Sequence, residues 1–290
     1  SELFPNKSIN YKESATLNVL NLAYYPDQRG PYNLDPNLDA NGRLSAPRTR
    51  WGGMMRRIDN SDFEAANIEY IEFWMMDPFI KAREEGTDLS GELYINLGEV
   101  SEDVLRDGLK FCESSMPTDG INTFVENNWG RVSSTNSTVY AFNSAGNTRG
   151  IQDVGYNGLT SEQERTYPAY QEYLQQVQAR VRPEVYDSIW ASPSGDKYHY
   201  FRGSDYDALQ VSIKDRYRYI NNPNGNSVAS EFSPESYSTT YKTTPDVEDI
   251  NQDYTLNEYE KYFQYRVKIV PSEMEVGRNY IVDKRVASVK

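Results

Sequence analysis

Ile68-Glu69-Tyr70-Ile71-Glu72-Phe73-Trp74-Met75-Met76 is the stretch on which the fold turns. Read at period two, one face carries Ile68, Tyr70, Trp74 and Met76, with Glu72 the one polar residue. The opposite face carries Ile71, Phe73 and Met75 after Glu69. A strand apolar on both faces belongs inside a covered sheet. The competing reading is a helix, because Ser61-Asp62-Phe63-Glu64 has capping-box spacing and Ala65-Ala66 are good helix formers. The aromatic content and the Asp77-Pro78 stop favour the strand, with Phe73 and Trp74 buried on opposite faces.

Working outward, Gly91–Leu97 alternates cleanly, with Leu93, Ile95 and Leu97 on one face and Glu92, Tyr94 and Asn96 on the other. A polar loop over Lys81–Ser90 is long enough for a hairpin and holds no crossover helix, so this strand is expected to pair antiparallel with Ile68–Met76. Upstream, Ala15–Tyr25 reads as a strand, followed by a turn-rich loop from Pro26 to Gly42. Gly52 and Gly53 allow close packing around Trp51. Downstream, Ser101 caps an expected helix with Val104, Leu105, Leu109 and Cys112 as its buried stripe.

Residues 117–158 are rich in Gly, Asn, Ser and Thr and read as a long irregular surface segment. A helix is expected from Pro168 to Val181 with Tyr170, Tyr173, Leu174 and Val177 on one side. Another starts at Ser204, with Leu209, Ile213, Tyr217 and Ile220 at helical spacing, and ends at Asn221-Asn222-Pro223-Asn224-Gly225. A Ser/Thr-rich link leads to an acidic loop, Asp246–Glu260. Tyr262–Val270 alternates as a strand, and Asn279–Val289 reads as a last one. There is no internal repeat.

This order predicts a mainly β chain of α+β class. Its expected architecture is a jelly-roll-like antiparallel β-sandwich interrupted by a long helix and loop region. Residues 1–100 would supply the first half of the sandwich, 101–240 the insertion, and 241–290 the acidic loop and closing strands.

The chain has 290 residues, enough for a sizeable core. Its 43 acidic and 30 basic side chains give a net charge of −13, which argues against a nucleic-acid surface or adhesion to anionic lipid. No apolar run reaches the ~18 residues of a membrane helix, and no alternating segments with aromatic girdles stand out. Cys112 is the one cysteine, so an intrachain disulfide is impossible. The start at Ser1, with neither initiator methionine nor signal peptide, reads as a mature or excised piece. The 24 tyrosines and the Asn, Ser and Thr runs suit a surface or envelope protein.

Catalytic signatures are sparse. The single histidine, His199, follows Ser192-Pro193-Ser194-Gly195 and reads as a loop or strand-end side chain rather than part of a triad. No nucleophile elbow, dinucleotide fingerprint, P-loop or His/Cys cluster is present. With 43 carboxylates a close pair is inevitable, so pairing alone marks no glycosidase. Tyr and Trp on a sandwich face can stack on sugars, although most tyrosines here fall at core-compatible positions.

The most specific local pattern lies in Asp249–Glu260. A calcium loop places oxygen ligands at positions 1, 3, 5, 7, 9 and 12. Here those are Asp249, Asn251, Asp253, the Thr255 backbone, Asn257 and Glu260. Tyr254 stands where such a loop needs glycine for its sharp turn, and the bland alternative is an acidic turn capping a short helix over Asn257–Lys261.

Several stretches together resemble one family. Tyr25-Pro26-Asp27-Gln28-Arg29-Gly30-Pro31-Tyr32-Asn33, Arg50-Trp51-Gly52-Gly53-Met54-Met55-Arg56 and Asp62 through Trp74 look like the SprA/Sov proteins. So do Gly91 through Asp103 and Pro245-Asp246-Val247-Glu248-Asp249-Ile250-Asn251. These are giant outer-membrane proteins of the type IX secretion system, which also supports gliding motility. The similarity runs from about Leu17 to the end of the chain. It implies a non-enzymatic soluble region of an outer-membrane translocon, facing the periplasm or the cell surface, without the membrane barrel. Its expected partners are other secretion-system subunits and secreted cargo proteins. The competing expectation from the residues is a carbohydrate-binding β-sandwich of an envelope protein.

Overall fold

The computed structural model describes residues 6, 8, 18–60, 62–87, 89–113, 116–118, 124–134, 141–143, 148–227 and 242–285. Parts of several expected elements lie outside these: residues 15–17, Ser61, the Ser/Thr-rich link 228–241, and 286–289. In chain order the elements are α1 (Ile80–Glu85), β1 (Gly91–Glu99), β2 (Phe124–Glu126), β3 (Arg131–Ser133), α2 (Arg149–Gln152), α3 (Ser161–Glu164), α4 (Pro168–Gln178), α5 (Pro183–Ala191), α6 (Ser204–Ala208), α7 (Ile213–Arg216) and β4 (Lys261–Ile269). They divide into two units. Unit 1 is Ser1–Leu22, Ile58–Val100 and Glu260–Lys290; unit 2 is Ala23–Arg57 and Ser101–Tyr259.

Unit 1 is built on one antiparallel ladder, β1 with β4, in register from Gly91↔Ile269 to Glu99↔Lys261. Directly opposed residues share a face. Leu93, Ile95 and Leu97 therefore lie beside Val267, Tyr265 and Phe263, while Glu92, Tyr94 and Asn96 lie beside Lys268, Arg266 and Gln264. Both strands were legible from their alternation; the pairing was not. Gly98, at φ 143°, meets the other strand so closely that a Cβ would fall 2.5 Å from the Lys261 carbonyl oxygen, which only glycine permits.

Ile68–Met76 corrects the central expectation. It forms neither strand nor helix and is exposed throughout, with Trp74 at 44 % and Tyr70 at 78 %. A strand needs a ladder partner for its backbone, and β1 is paired with β4 instead. The Trp74 ring is met by the Arg285 guanidinium, 5.0 Å from its centroid. The expected loop Lys81–Ser90 contains α1, opened by Asp77, whose carboxylate accepts the Phe79 N–H and pairs with Arg83. Residues 18–25 and 279–285 also lack the expected strands.

Unit 2 contains the helical core. Pro168 stands at the first helical position of α4, and Tyr170, Tyr173, Leu174 and Val177 are buried at the spacing the sequence predicts. Tyr173, Leu174 and Val177 join Ile189 of α5 with Leu38 and Leu44, themselves bridged antiparallel. A second cluster gathers Cys112, Met116, Val132 of β3 and Val154. Residues 117–158 are therefore more than surface: among the described ones, Val132, Gln152, Val154 and Asn157 are buried, and β2 pairs with β3.

Two helices expected in unit 2 are corrected. After Ser101 the Asp103 carboxylate accepts the Arg106 and Gly108 N–H groups, with positive φ at both residues, so a side-chain-bonded turn replaces the helix. The helix from Ser204 is broken into α6 and α7 at Gln210, φ 51°. Leu209 and Ile213, which that stripe would have buried, are 74 % exposed. Trp51 is 85 % exposed; Gly53 lies against its ring as expected, while Gly52 lies against the Tyr24 ring. The described residues form two two-stranded antiparallel sheets with short helices, a mixed α and β arrangement.

Candidate functional site

The acidic loop of unit 2 is folded around its own side-chain oxygens. Asp249 is fully buried, and its Oδ1 and Oδ2 accept the N–H groups of Asp253 and Tyr254 at 3.2 and 2.9 Å. Asn251 Oδ1 accepts from the Asp253 N–H at 2.8 Å. Asp253 Oδ1 accepts from both the N–H and the hydroxyl of Thr255, which holds this carboxyl below the usual range. Asn257 Oδ1 accepts from the Tyr259 N–H at 2.9 Å. Tyr254 has φ 70°, so the chain makes the sharp turn at the position where glycine was wanted.

Glu102 clamps this loop. Its Oε1 accepts the Ile250 and Asn251 N–H groups, both at 3.1 Å, and its Oε2 accepts the Asn257 N–H at 3.0 Å. The Glu102 N–H donates to the Asn257 carbonyl at 2.7 Å. Lys110 Nζ caps the Tyr254 carbonyl, and Arg57 Nη1 caps that of Asn251. Five of the six proposed ligand positions, Asp249, Asn251, Asp253, Thr255 and Asn257, thus share one loop. Glu260 falls in unit 1, exposed, directly before β4. Among the described residues, no group of three or more His, Cys, Asp or Glu side chains is placed to hold a metal ion. The residues after Asn257 are extended, without the short helix of the alternative reading.

Beside the loop lies a set of acids that sequence reasoning missed. Glu248 is buried, and burial first, then the Asp103 and Asp107 carboxylates, push it up to about 9. Glu113 is also raised, by burial and then by Asp246, whose N–H it accepts at 2.9 Å.

A separate polar junction joins α3, α4 and the Pro193–Asp196 turn. Thr160 and Gln163 form a full capping box, legible in the sequence as Thr-x-x-Gln. This fixes α3 so that Glu164, fully buried, accepts from Asn157 Nδ2 at 2.6 Å and from the Ser194 N–H at 3.1 Å. Tyr170 also takes a hydrogen bond from Asn157, and burial raises its hydroxyl. Asp196 accepts from the Tyr32 hydroxyl at 3.1 Å, and that hydroxyl accepts the Tyr156 N–H. Gly155 is required here, since a Cβ would fall 2.1 Å from Asp196 Oδ2. No sequence signal marks two carboxylates as buried partners.

His199 has both ring nitrogens engaged, Nδ1 with the Tyr200 carbonyl at 2.8 Å and Nε2 with Asp205 at 2.9 Å, and its ring stacks on Tyr206 at 3.9 Å. None of the helices among the described residues is long and apolar enough to cross a membrane.

No curated protein matches the chain. Residues 172–290, about two fifths of its length, match the SprA_N family model, described as motility related/secretion protein; the matched region runs from within α4 through the acidic loop and β4.

Proposed function

We propose that this chain is a non-enzymatic module of a type IX secretion translocon, located in or at the outer membrane and binding other secretion subunits and cargo proteins. The observation that carries this reading is the family match over residues 172–290. Unit 1 supports it: Leu93, Ile95, Leu97, Val267, Tyr265 and Phe263 make one apolar ribbon face, and an isolated two-stranded ribbon is marginal in water. The test is capture from native cell envelope with the chain as bait. Enrichment of secretion subunits or cargo, lost with Phe263→Ser, supports the reading; equal capture of unrelated envelope proteins ends it. Steady turnover of peptides or glycans by purified protein would overturn its non-enzymatic part.

The carbohydrate reading draws on Phe263 and Tyr265, exposed at 76 % and 46 % on that same face. Their aliphatic neighbours make a broad apolar surface that suits protein better than the spaced rings of a sugar platform. Glycan binding abolished by Phe263→Ala would reverse this preference.

Calcium at the Asp249–Glu260 loop is a separate part of the proposal, supported by the left-handed turn at Tyr254. Asn251 and Asp253 would turn from their backbone donors to share the cation. A higher melting temperature in millimolar calcium than in chelator, absent in Asp253→Ala, is the expected result. Equal temperatures would leave the loop as a turn organised by Glu102.

A further inference from the structure

Glu164 and Asp196 are fully enclosed, and a side chain of opposite charge lies beside Glu164. That side chain is Arg29, half-buried, which donates to the Pro193 carbonyl, lies 5.3 Å from the Tyr173 ring centroid and is felt by Glu164. One cation balances one carboxylate, so burying the second as an anion carries a large desolvation cost. Asp196 Oδ2 accepts from the Tyr32 hydroxyl while its buried Oδ1 has no partner, and burial outweighs the donors this carboxyl has. The other titratable groups facing the pair are Tyr32 from the Arg29–Tyr32 strap and Tyr170 and Tyr173 from α4, with Cys112 acting on Tyr170. All four are raised, chiefly by burial, so they stay neutral and offer no compensation.

The strap and the turn meet at this pair. The Tyr32 N–H donates to the Ser194 carbonyl at 2.6 Å, and the Tyr32 hydroxyl reaches Asp196. From below, Glu164 holds the Ser194 N–H. We propose that one proton shared by Glu164 and Asp196 locks the Arg29–Tyr32 strap onto the Pro193–Asp196 turn, and that its loss to solvent releases the strap.

The pair gives the lock its range. Burial first, and the Asp196 charge second, push Glu164 up to about 7, while burial raises Asp196. Both carboxyls bind the proton more tightly in the folded chain than in the unfolded one. The stability this confers is full below about pH 4.5 and is lost as pH rises through about 7.

Hydrogen exchange on the full 290-residue chain tests this, with protection corrected for intrinsic rate. Protection of the Tyr32, Tyr156 and Ser194 amides is expected to fall about tenfold or more between pH values of about 5.5 and 8.5. The β1–β4 amides serve as the control and are expected to stay level. Asp196→Asn removes the second cause of the shift, so the step should persist with a lower midpoint. Glu164→Gln should start from lower protection, since its single carbonyl oxygen cannot accept from both Asn157 and the Ser194 N–H, and show no step at all. Should Glu164→Gln fail to fold, the wild type and Asp196→Asn decide the matter. Wild-type protection that is level in pH, or an Asp196→Asn midpoint equal to that of the wild type, would overturn the lock.

Discussion

α4 and the Ile68–Met76 segment carry comparable amounts of apolar side chain and meet opposite fates. The helix satisfies its backbone internally, so it needs only a facing apolar surface, and α5 with Leu38 and Leu44 provides one. The 68–76 segment must borrow its hydrogen bonds from another strand, and its natural neighbour β1 is paired with β4. Its apolar residues therefore stay in solvent although their pattern is stronger than that of α4. Apolar periodicity predicts burial when the backbone closes on itself, and predicts it only conditionally when a partner must be found.

The strongest way to break that contrast is Leu174→Ala, expected to lower the stability of unit 2 by roughly 2–5 kcal/mol in a urea titration. An unchanged midpoint would mean that α4 is not the core it resembles. A pH titration sharpens the contrast by addressing acids buried in unit 2. Glu248, raised to about 9, contributes stability that is full below about pH 4.5 and is lost as pH rises through about 9. Glu248→Gln should flatten this dependence and recover on the order of 2 kcal/mol at the alkaline end; parallel curves for variant and wild type would contradict it. Thr160→Ala removes the α3 cap and is expected to cost about 1 kcal/mol by thermal melting. The smallest effect belongs to Trp74→Ala, about 0.5–1 kcal/mol from its exposed contact with Arg285. A loss of several kcal/mol there would show the segment buried in solution and erase the contrast.

What the sequence made legible follows the same division. α4 was readable in its start and its buried face, though it ends at Gln178 and not at the expected Val181, because Pro168 and the Tyr170, Tyr173, Leu174, Val177 stripe act within one turn or two of each other. β1 and β4 were readable as strands by alternation, but their pairing joins residues far apart in the chain, and no local pattern encodes it. The helix expected after Ser101 failed because Asp103 bonds the following backbone more readily than the helix does. At the acidic loop, the chain turns at Tyr254, the position where the oxygen spacing asked for glycine, while its clamp, Glu102, lies nearly 150 residues upstream and was invisible. The Glu164–Asp196 pair was hidden for the same reason.

The β1–β4 register has a consequence for how the chain reaches its native state. Closing a loop of roughly 160 residues between Glu99 and Lys261 costs about 3 kcal/mol more in chain entropy than closing a four-residue hairpin. Within unit 2, the bonds between Glu102 and Asn257 already bring the two ends of that long excursion together. Once they form, the remaining search is little longer than a hairpin's. Collapse of the inserted residues therefore comes first, and the ladder zips last, on the slow side of the contact-order relation. In stopped-flow refolding, Leu174→Ala should then delay ladder formation even though it touches neither strand.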